Sequence, residues 1–442
     1  MAHPSRAHVD WSRDAVVYQL NTRQFTDEGT IAAAAEHLPR LASLGVDIVW
    51  LMPIHPIGEK NRKGSLGSPY AITDYMAVRE ELGTLDDLTR FVDSAHGLGL
   101  KLIIDWVANH TAWDHPWASA HPDWYKKDWK GDFVSTPFWD WTDIIDLDYS
   151  APGLRATMKE AMLYWVREAD IDGYRCDVAH YVPRDFWEDV REALEAVKPV
   201  WMLAEGNARD LHEEAFDATY AWEWQKPLRR IGAGKADATA LYEYYSENAS
   251  MWPADAQRML FTTNHDQNTW DGLAQELLGP AYRNALVLMF ASEGIPLVYN
   301  GQEAGLDKQL AFFERDPIAW CEHEDGDFIR NWLVFRKAHP ALHNRPWGGR
   351  MVHVKNSDEA KVFSFARLAE EDGVLVAQNY SGEDAEIELG DVPHTGRWSV
   401  RWTADPMADP SRSVFGGVAP RPIEKGATLH VPAWSSLVYV LS

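Results

Sequence analysis

Cysteine is nearly missing from this chain: two in 442 residues, Cys176 and Cys321. That excludes a disulfide framework, and without a CxxC pair it argues against a structural zinc site. No apolar run approaches the length needed to span a bilayer. The stretch from Met1 to Ser12 is polar and lacks the apolar core of a secretory leader. A soluble chain is expected, either cytoplasmic or secreted and already processed. Cations are also in short supply, with 42 Lys and Arg against 67 Asp and Glu and a net charge of −25. Nucleic acid and anionic membranes both require a basic surface, so neither is expected as a partner. The sequence leaves the oligomeric state open.

Tryptophan, by contrast, is abundant, with 22 in the chain. Seven of them (Trp106, Trp113, Trp117, Trp124, Trp129, Trp139 and Trp141) crowd one segment. Rings exposed in a loop can stack on the apolar faces of sugars, although packing accounts equally well for any one of them.

Along most of the chain short apolar runs alternate with amphipathic stretches. Strands are expected at Val16–Leu20, Val46–Leu51, Leu102–Ile104, Gly173–Asp177, Val200–Ala204, Phe216–Tyr220, Arg258–Thr262 and Pro296–Tyr299. Helices are expected between them, among them Leu85–His96, Leu154–Glu168, Phe186–Val197 and Tyr282–Ala291. Near-continuous apolar strands such as Val46–Leu51 belong to parallel sheets covered on both faces. Eight strand–helix units predict an α/β fold of the (β/α)8 barrel kind. The period breaks from Trp106 to Ser150, which is rich in Trp, Asp, Pro and His and has no clear periodicity. After about Arg345 short β-rich runs separated by Gly, Pro, Asp and Asn predict a small antiparallel β domain. The expected division is residues 1–105 and 151–346 as the two parts of the barrel, 106–150 as an inserted domain, and 347–442 as a C-terminal domain.

The stretch Gly173-Tyr174-Arg175-Cys176-Asp177 carries the strongest chemical signal. Alternation along a strand puts Arg175 and Asp177 on one face. Alone, the pair reads as a structural ion pair. Residues at the C-terminal ends of barrel strands, however, form the active face. There stand Asp105, Asn109 and His110 after the third strand, Arg175 and Asp177 at the fourth, Glu205 after the fifth, and His265 and Asp266 after the seventh. Four carboxylates on separate strands are hard to explain by packing, and they include no Cys/His set with metal-ligand spacing. Glycoside cleavage with retention needs two carboxylates roughly 5–5.5 Å apart. Asp177 and Glu205 end adjacent strands, which lie roughly 4.8 Å apart. Arg175 is expected to hold Asp177 ionised as nucleophile. Glu205 has no cation beside it in sequence and two acids nearby, so it is expected to be protonated and to act as the acid. Asp266 is expected to bind sugar hydroxyls and favour the oxocarbenium-like transition state, with His110 and His265 donating hydrogen bonds.

These residues resemble the α-amylase family of glycoside hydrolases. Asp105-Trp-Val-Ala-Asn109-His110 is similar to that family's first motif and Gly173-Tyr-Arg175-Cys-Asp177 to its second. Leu203-Ala-Glu205 resembles the third and Asn264-His265-Asp266 the fourth. Ser68-Pro-Tyr70 with Asp74-Tyr75 resembles a stretch whose tyrosine, here Tyr70, would stack under the sugar. Ile145-Asp146-Leu147-Asp148 resembles the fifth motif, and Arg315-Asp-Pro317 with Trp320 a loop after the eighth strand that would touch substrate. The resemblance implies that 106–150 is the inserted B domain and that the tail is a β-sandwich. It also implies a catalytic triad of Asp177, Glu205 and Asp266. Two departures stand out. Many members place Lys-His just after the nucleophile motif, where this chain has His180-Tyr181, and the aspartate-rich calcium loop is reduced to Phe25-Thr-Asp27-Glu-Gly29. No cofactor is therefore expected; calcium is possible, with Asn109 as one ligand, but not required.

The expected activity is hydrolysis of α-1,4 links in starch or maltooligosaccharides. An α-glucosidase or 4-α-glucanotransferase would use the same triad. A sugar-binding protein with a dead site and a metal-dependent hydrolase are the rivals from other classes.

Overall fold

The computed structural model describes residues 7–393, 397–404 and 421–441. In chain order its strands are β1 (Val17–Leu20), β2 (Ile48–Leu51), β3 (Lys101–Trp106), β4 (His110–Ala112), β5 (Ile144–Asp146), β6 (Gly173–Cys176), β7 (Trp201–Ala204), β8 (Ala218–Tyr220), β9 (Gln257–Leu260) and β10 (Ile295–Tyr299). They are followed by β11 (Met351–His353), β12 (Val362–Ala369), β13 (Asp372–Asn379), β14 (Ala385–Glu388), β15 (Arg397–Ala404), β16 (Arg421–Pro422), β17 (Thr428–Val431) and β18 (Ser436–Leu441). A closed eight-stranded barrel forms in the order β1-β10-β9-β8-β7-β6-β3-β2, with parallel pairing along it.

Two units divide the described chain, one built mainly from Val16–Tyr220 with Val298–Glu322, the other from Ala221–Leu297 with the part after His323. In the first, local rules set the elements. Ile31–Leu44 forms two helices, Ile31–Ala35 and Leu38–Leu44, because Pro39 starts a new one. Gly45 closes the second in the left-handed conformation, with φ at 101°. The helix Leu85–Gly97 opens with a reciprocal capping box: the Asp87 amide donates to the Thr84 hydroxyl at 3.2 Å, and the Thr84 amide to the Asp87 carboxylate at 2.8 Å. Its buried Leu88, Phe91, Val92 and Ala95 form one face.

Gly173 opens β6 at a φ of 150°, and a Cβ there would sit 1.8 Å from the Trp201 carbonyl oxygen of β7. Only glycine permits that approach, and it is what lets β6 carry Arg175 and Asp177 along its neighbour. The inserted segment, which showed no periodicity in sequence, contains a two-stranded antiparallel pair in which His110, Thr111 and Ala112 face Asp146, Ile145 and Ile144. Three residues are too few for a period to show. Buried Ala71, Ala112 and Ile144, with Ile57 and Trp141 against them, anchor the pair.

The second unit contains a six-stranded antiparallel sheet in the order β11-β12-β13-β18-β15-β16 and the separate hairpin-like pair β14 and β17. Their inner faces share a core that includes Val362, Leu375, Ile387, Trp398, Leu429 and Tyr439. A helix at Gln225–Gly232, not expected from sequence, precedes the expected one at Thr239–Asn248. Among the described residues no helix is long and apolar enough to cross a membrane.

Candidate active site

The register of β6 against β7 pairs Cys176 with Ala204, and the Glu205 amide donates to the Cys176 carbonyl at 2.9 Å. Asp177 and Glu205 therefore follow at matching heights. On the other side β3 pairs Asp105 with Arg175. Three acids thus stand around one guanidinium, itself fully buried. Arg175 Nη1 lies 2.8 Å from Asp105 Oδ1 and 2.9 Å from Asp177 Oδ1, and Nη2 lies 2.8 Å from Glu205 Oε2. Its Nε donates to the Tyr220 hydroxyl at 3.1 Å. Burial alone would lower the pKa of Arg175, but Asp105, Tyr220 and Glu205 outweigh it and raise it well above the ordinary value.

This corrects one expectation. No cation neighbours Glu205 in sequence, yet Arg175 reaches it across the strand boundary, and the Val178 amide donates to its Oε2 at 2.8 Å. A long side chain on the adjacent strand is invisible to a reading of neighbours along the chain. The acid that burial does push up is Asp105, to about 6, against the pull of Arg175 and with a further push from Glu205. Its Oδ2 accepts from both Trp50 Nε1 and the Tyr70 hydroxyl at 3.1 Å.

Tyr70 is mostly buried, with its ring parallel to that of Phe312 at 6.1 Å between centroids. Burial lowers the pKa of His110 to about 3, more than its bond to the Tyr70 backbone and the charge of Glu205 raise it, so its imidazole is neutral. From His110 a row of rings leads outward. Trp141 is 5.9 Å from His110, Trp139 stacks on Trp141 at 5.3 Å, and Trp139 Nε1 donates to the Tyr181 hydroxyl at 3.1 Å. Of the clustered tryptophans, Trp106 and Trp124 are core, whereas Trp129 and Trp139 are exposed. Arg315 stands outside the ion-paired group: it is exposed, with its Nε 3.3 Å from where a Cβ on Gly29 would lie. In the second unit, just past β9, His265 is buried with Nε2 3.4 Å from Asp266 Oδ1, and the side chain of Asp266 is 36% exposed. Trp50, Tyr220 and Phe312 were not singled out by sequence. Trp50 and Tyr220 lie on expected strands, where alternation marks facing but not partners.

The match with known proteins decides the family. The model of the alpha amylase catalytic domain matches residues 17–141 and 124–347. The chain belongs to the α-amylase family. Among its relatives is the alpha-amylase MalA of Haloarcula japonica, 30% identical over 399 residues that cover 86% of this chain and 57% of that protein. Another is the alpha-1,4-glucan:maltose-1-phosphate maltosyltransferase of Rhodospirillum rubrum, 30% identical over 435 residues, 89% of this chain and 59% of that one. The chain thus spans less than two thirds of the length of these relatives. Among solved structures, an alpha-amylase from Lactobacillus plantarum is 29% identical with a TM-score of 0.83, covering 98% of this chain and 100% of that one. The noncanonic maltogenic alpha-amylase AmyB from Thermotoga neapolitana is 28% identical with a TM-score of 0.82, covering 97% and 96%.

A calcium ion does not fit the donors around Asn109, the one ligand the sequence suggested. Asp146 Oδ1 accepts from Thr136 Oγ1 at 2.6 Å and Asn109 Nδ2 at 3.3 Å, while Oδ2 takes Lys126 Nζ at 3.3 Å. An ammonium already answers the carboxylate, and Asn109 serves as a donor to it. Among the described residues no group of three or more His, Cys, Asp or Glu could hold a metal ion.

Proposed function

We propose that the chain hydrolyses α-1,4-glucosidic bonds of starch or maltooligosaccharides through a covalent glycosyl-enzyme intermediate. The observation that carries this reading is the single buried guanidinium touching both Asp177 and Glu205 at matched ends of neighbouring strands. One ion pair keeps Asp177 anionic and oriented, as a nucleophile requires. Adjacent strand ends suit the roughly 5–5.5 Å separation of a retaining pair. Asp177 attacks the anomeric carbon while Glu205, which has to take up a proton against its contact with Arg175 before each cycle, gives that proton to the leaving oxygen. Glu205 then takes a proton from water, which releases the sugar with its original configuration. Asp266 binds hydroxyls of the distorted ring and stabilises the oxocarbenium-like transition state. Neutral His110 donates a hydrogen bond to a hydroxyl without adding charge, and Tyr70 supports the ring from below. His265 and Arg315 are assigned to substrate contacts.

The test is turnover of an unmodified maltooligosaccharide by Asp177→Asn and Glu205→Gln. Each is expected to fall by at least about a thousandfold with folding intact. Near-normal activity in either would overturn the assignment. Proton NMR of the first product should show the α anomer.

Transfer of the glycosyl group to a sugar acceptor, as in a 4-α-glucanotransferase, or exo-cleavage by an α-glucosidase is the second reading. Relatives named as maltosyltransferases support the transfer form. Products from maltotriose to maltoheptaose separate the three: longer oligomers appear only if transfer competes with water.

A further inference from the structure

Within the second unit lies a cavity of about 510 Å³ that the catalytic reading leaves unused. That is within the usual size of a small-molecule site, roughly 300–1,000 Å³. It is walled by the helix Thr239–Asn248, the segment after it, the edge strand β11 and its neighbour β12. Its charge is unusual for this protein. Acids outnumber Lys and Arg 67 to 42 over the chain, yet the lining holds three arginines, Arg258, Arg345 and Arg350, and one carboxylate, Glu293.

The guanidinium groups are placed rather than loose. Arg345 donates from Nε to the Ala254 carbonyl at 3.0 Å and from Nη1 to the Gly348 carbonyl at 2.6 Å. Arg258 lies over the Trp252 ring at 3.5 Å. Glu293 is already bound by the Met351 amide. Burial depresses the pKa of Arg345, with Glu293 raising it and neighbouring Arg350 pressing it further down. Burial likewise lowers Arg258 to about 10, and Tyr244 and Glu223 only partly offset this. An anion entering the cavity would relieve both the burial cost and the repulsion between Arg345 and Arg350.

The aromatic walls narrow the ligand further. Trp252 has one face under Arg258, and Tyr245 is stacked on Phe363 at 5.5 Å and 17°. Trp252 Nε1 donates to Asn248 Oδ1 at 3.0 Å, which fixes the indole in the wall. The indole and the Tyr244 phenol set an apolar surface beside a hydroxyl, which suits a saturated ring bearing hydroxyls.

We infer that this cavity is a second ligand site, distinct from the catalytic acids, that takes a small phosphorylated sugar, with its phosphate on Arg345 and Arg350 and its ring against Tyr244 and Trp252. Arginine suits that role because its planar, permanently charged group directs donors at phosphate oxygens, Arg345 through Nη2 with its other nitrogens held by the two carbonyls, and Arg350 from the exposed side.

The probe is glucose 1-phosphate, titrated calorimetrically into the full chain beside maltose and inorganic phosphate. The ester is expected to bind with a dissociation constant below about 1 mM, and both controls at least about tenfold more weakly. Arg350 is exposed, so Arg350→Glu keeps the fold; it should weaken the ester about tenfold or more and leave glucan cleavage unchanged. Tyr244→Ala should weaken the ester as well. No heat from the ester would overturn the proposal, as would equal binding by Arg350→Glu. Maltose or inorganic phosphate binding as tightly as the ester would overturn it too. The ligand series on the unaltered protein stands even if a variant misfolds.

Discussion

Asp105→Asn offers the sharpest test of the electrostatics around Arg175. Asp105 is fully buried, and burial raises its carboxyl from 3.8 to about 6. The direction fixes the sign. A carboxyl whose folded pKa lies above its unfolded value contributes stability that is complete below about pH 4 and is lost as the pH climbs through about 6. The shift is about two units, and each unit is worth about 1.4 kcal/mol, so the whole effect is about 3 kcal/mol. The amide keeps the shape and its one oxygen can still accept from Arg175, while its NH2 takes the place of the oxygen that accepted from Trp50 and Tyr70; that fixed loss does not vary with pH, because the amide cannot titrate. Stability is measured by urea unfolding, followed by tryptophan fluorescence, for both proteins from about pH 4.5 to 7.5. Titrations common to the two cancel in the difference. The wild type should lose about 2 kcal/mol relative to Asp105→Asn over that range, the part of the total lying above about pH 4.5. A difference flat to within about 0.5 kcal/mol would refute the reasoning, and one of opposite sign would show that Arg175 outweighs burial.

Gly173→Ala drives a Cβ to 1.8 Å from a backbone oxygen of β7 at a φ of 150°; it should cost at least about 3 kcal/mol in urea unfolding, and a variant as stable as the wild type would show that β6 can retreat. Burial lowers the imidazoles of His55 and His110 to about 3 and that of His115 to about 4. Depressed bases contribute stability above about pH 6.5 and lose it as the pH falls, so going from about pH 6.5 to 5 should cost about 2 kcal/mol for each. His55→Phe should flatten that acid slope by one such share, and an unchanged slope would count against it. Because Lys126 already answers Asp146, EDTA should leave both melting temperature and glucan cleavage unchanged; a fall of several degrees that calcium reverses would show a metal site.

Much of this was legible in the sequence because the barrel strands are buried on both faces and announce themselves as apolar runs. Asp105, Asp177 and Glu205, which end neighbouring strands, could then be placed together from chain order alone. Short elements were harder. His110–Ala112 and Ile144–Asp146 are too brief for alternation to register, and each depends on the other for its hydrogen bonds. Gln225–Gly232 is hard to see in sequence because Pro and Gly break helix interiors, whereas Pro227 near its start and Gly232 at its end are tolerated. Within the site, Asp177, Glu205 and the pairing of Arg175 with Asp177 followed from position, but the reach of Arg175 to Asp105 and Glu205 did not. Which carboxylate a long guanidinium reaches is decided by strand register, and the sequence carries register only through Gly173 and its close approach to Trp201.

One guanidinium shared by three acids also constrains how this rim can vary. Removing one acid leaves Arg175 freer to lean on the other two, so single and double substitutions at Asp105, Asp177 and Glu205 should not sum. A pair of changes should cost less than its parts, because the first has already loosened the shared counterion. The three positions then behave as one locus spread over three strands: a drift at one alters what is tolerated at the others, and a graft of any single strand end into another barrel would bring its acid without the balance that makes it useful.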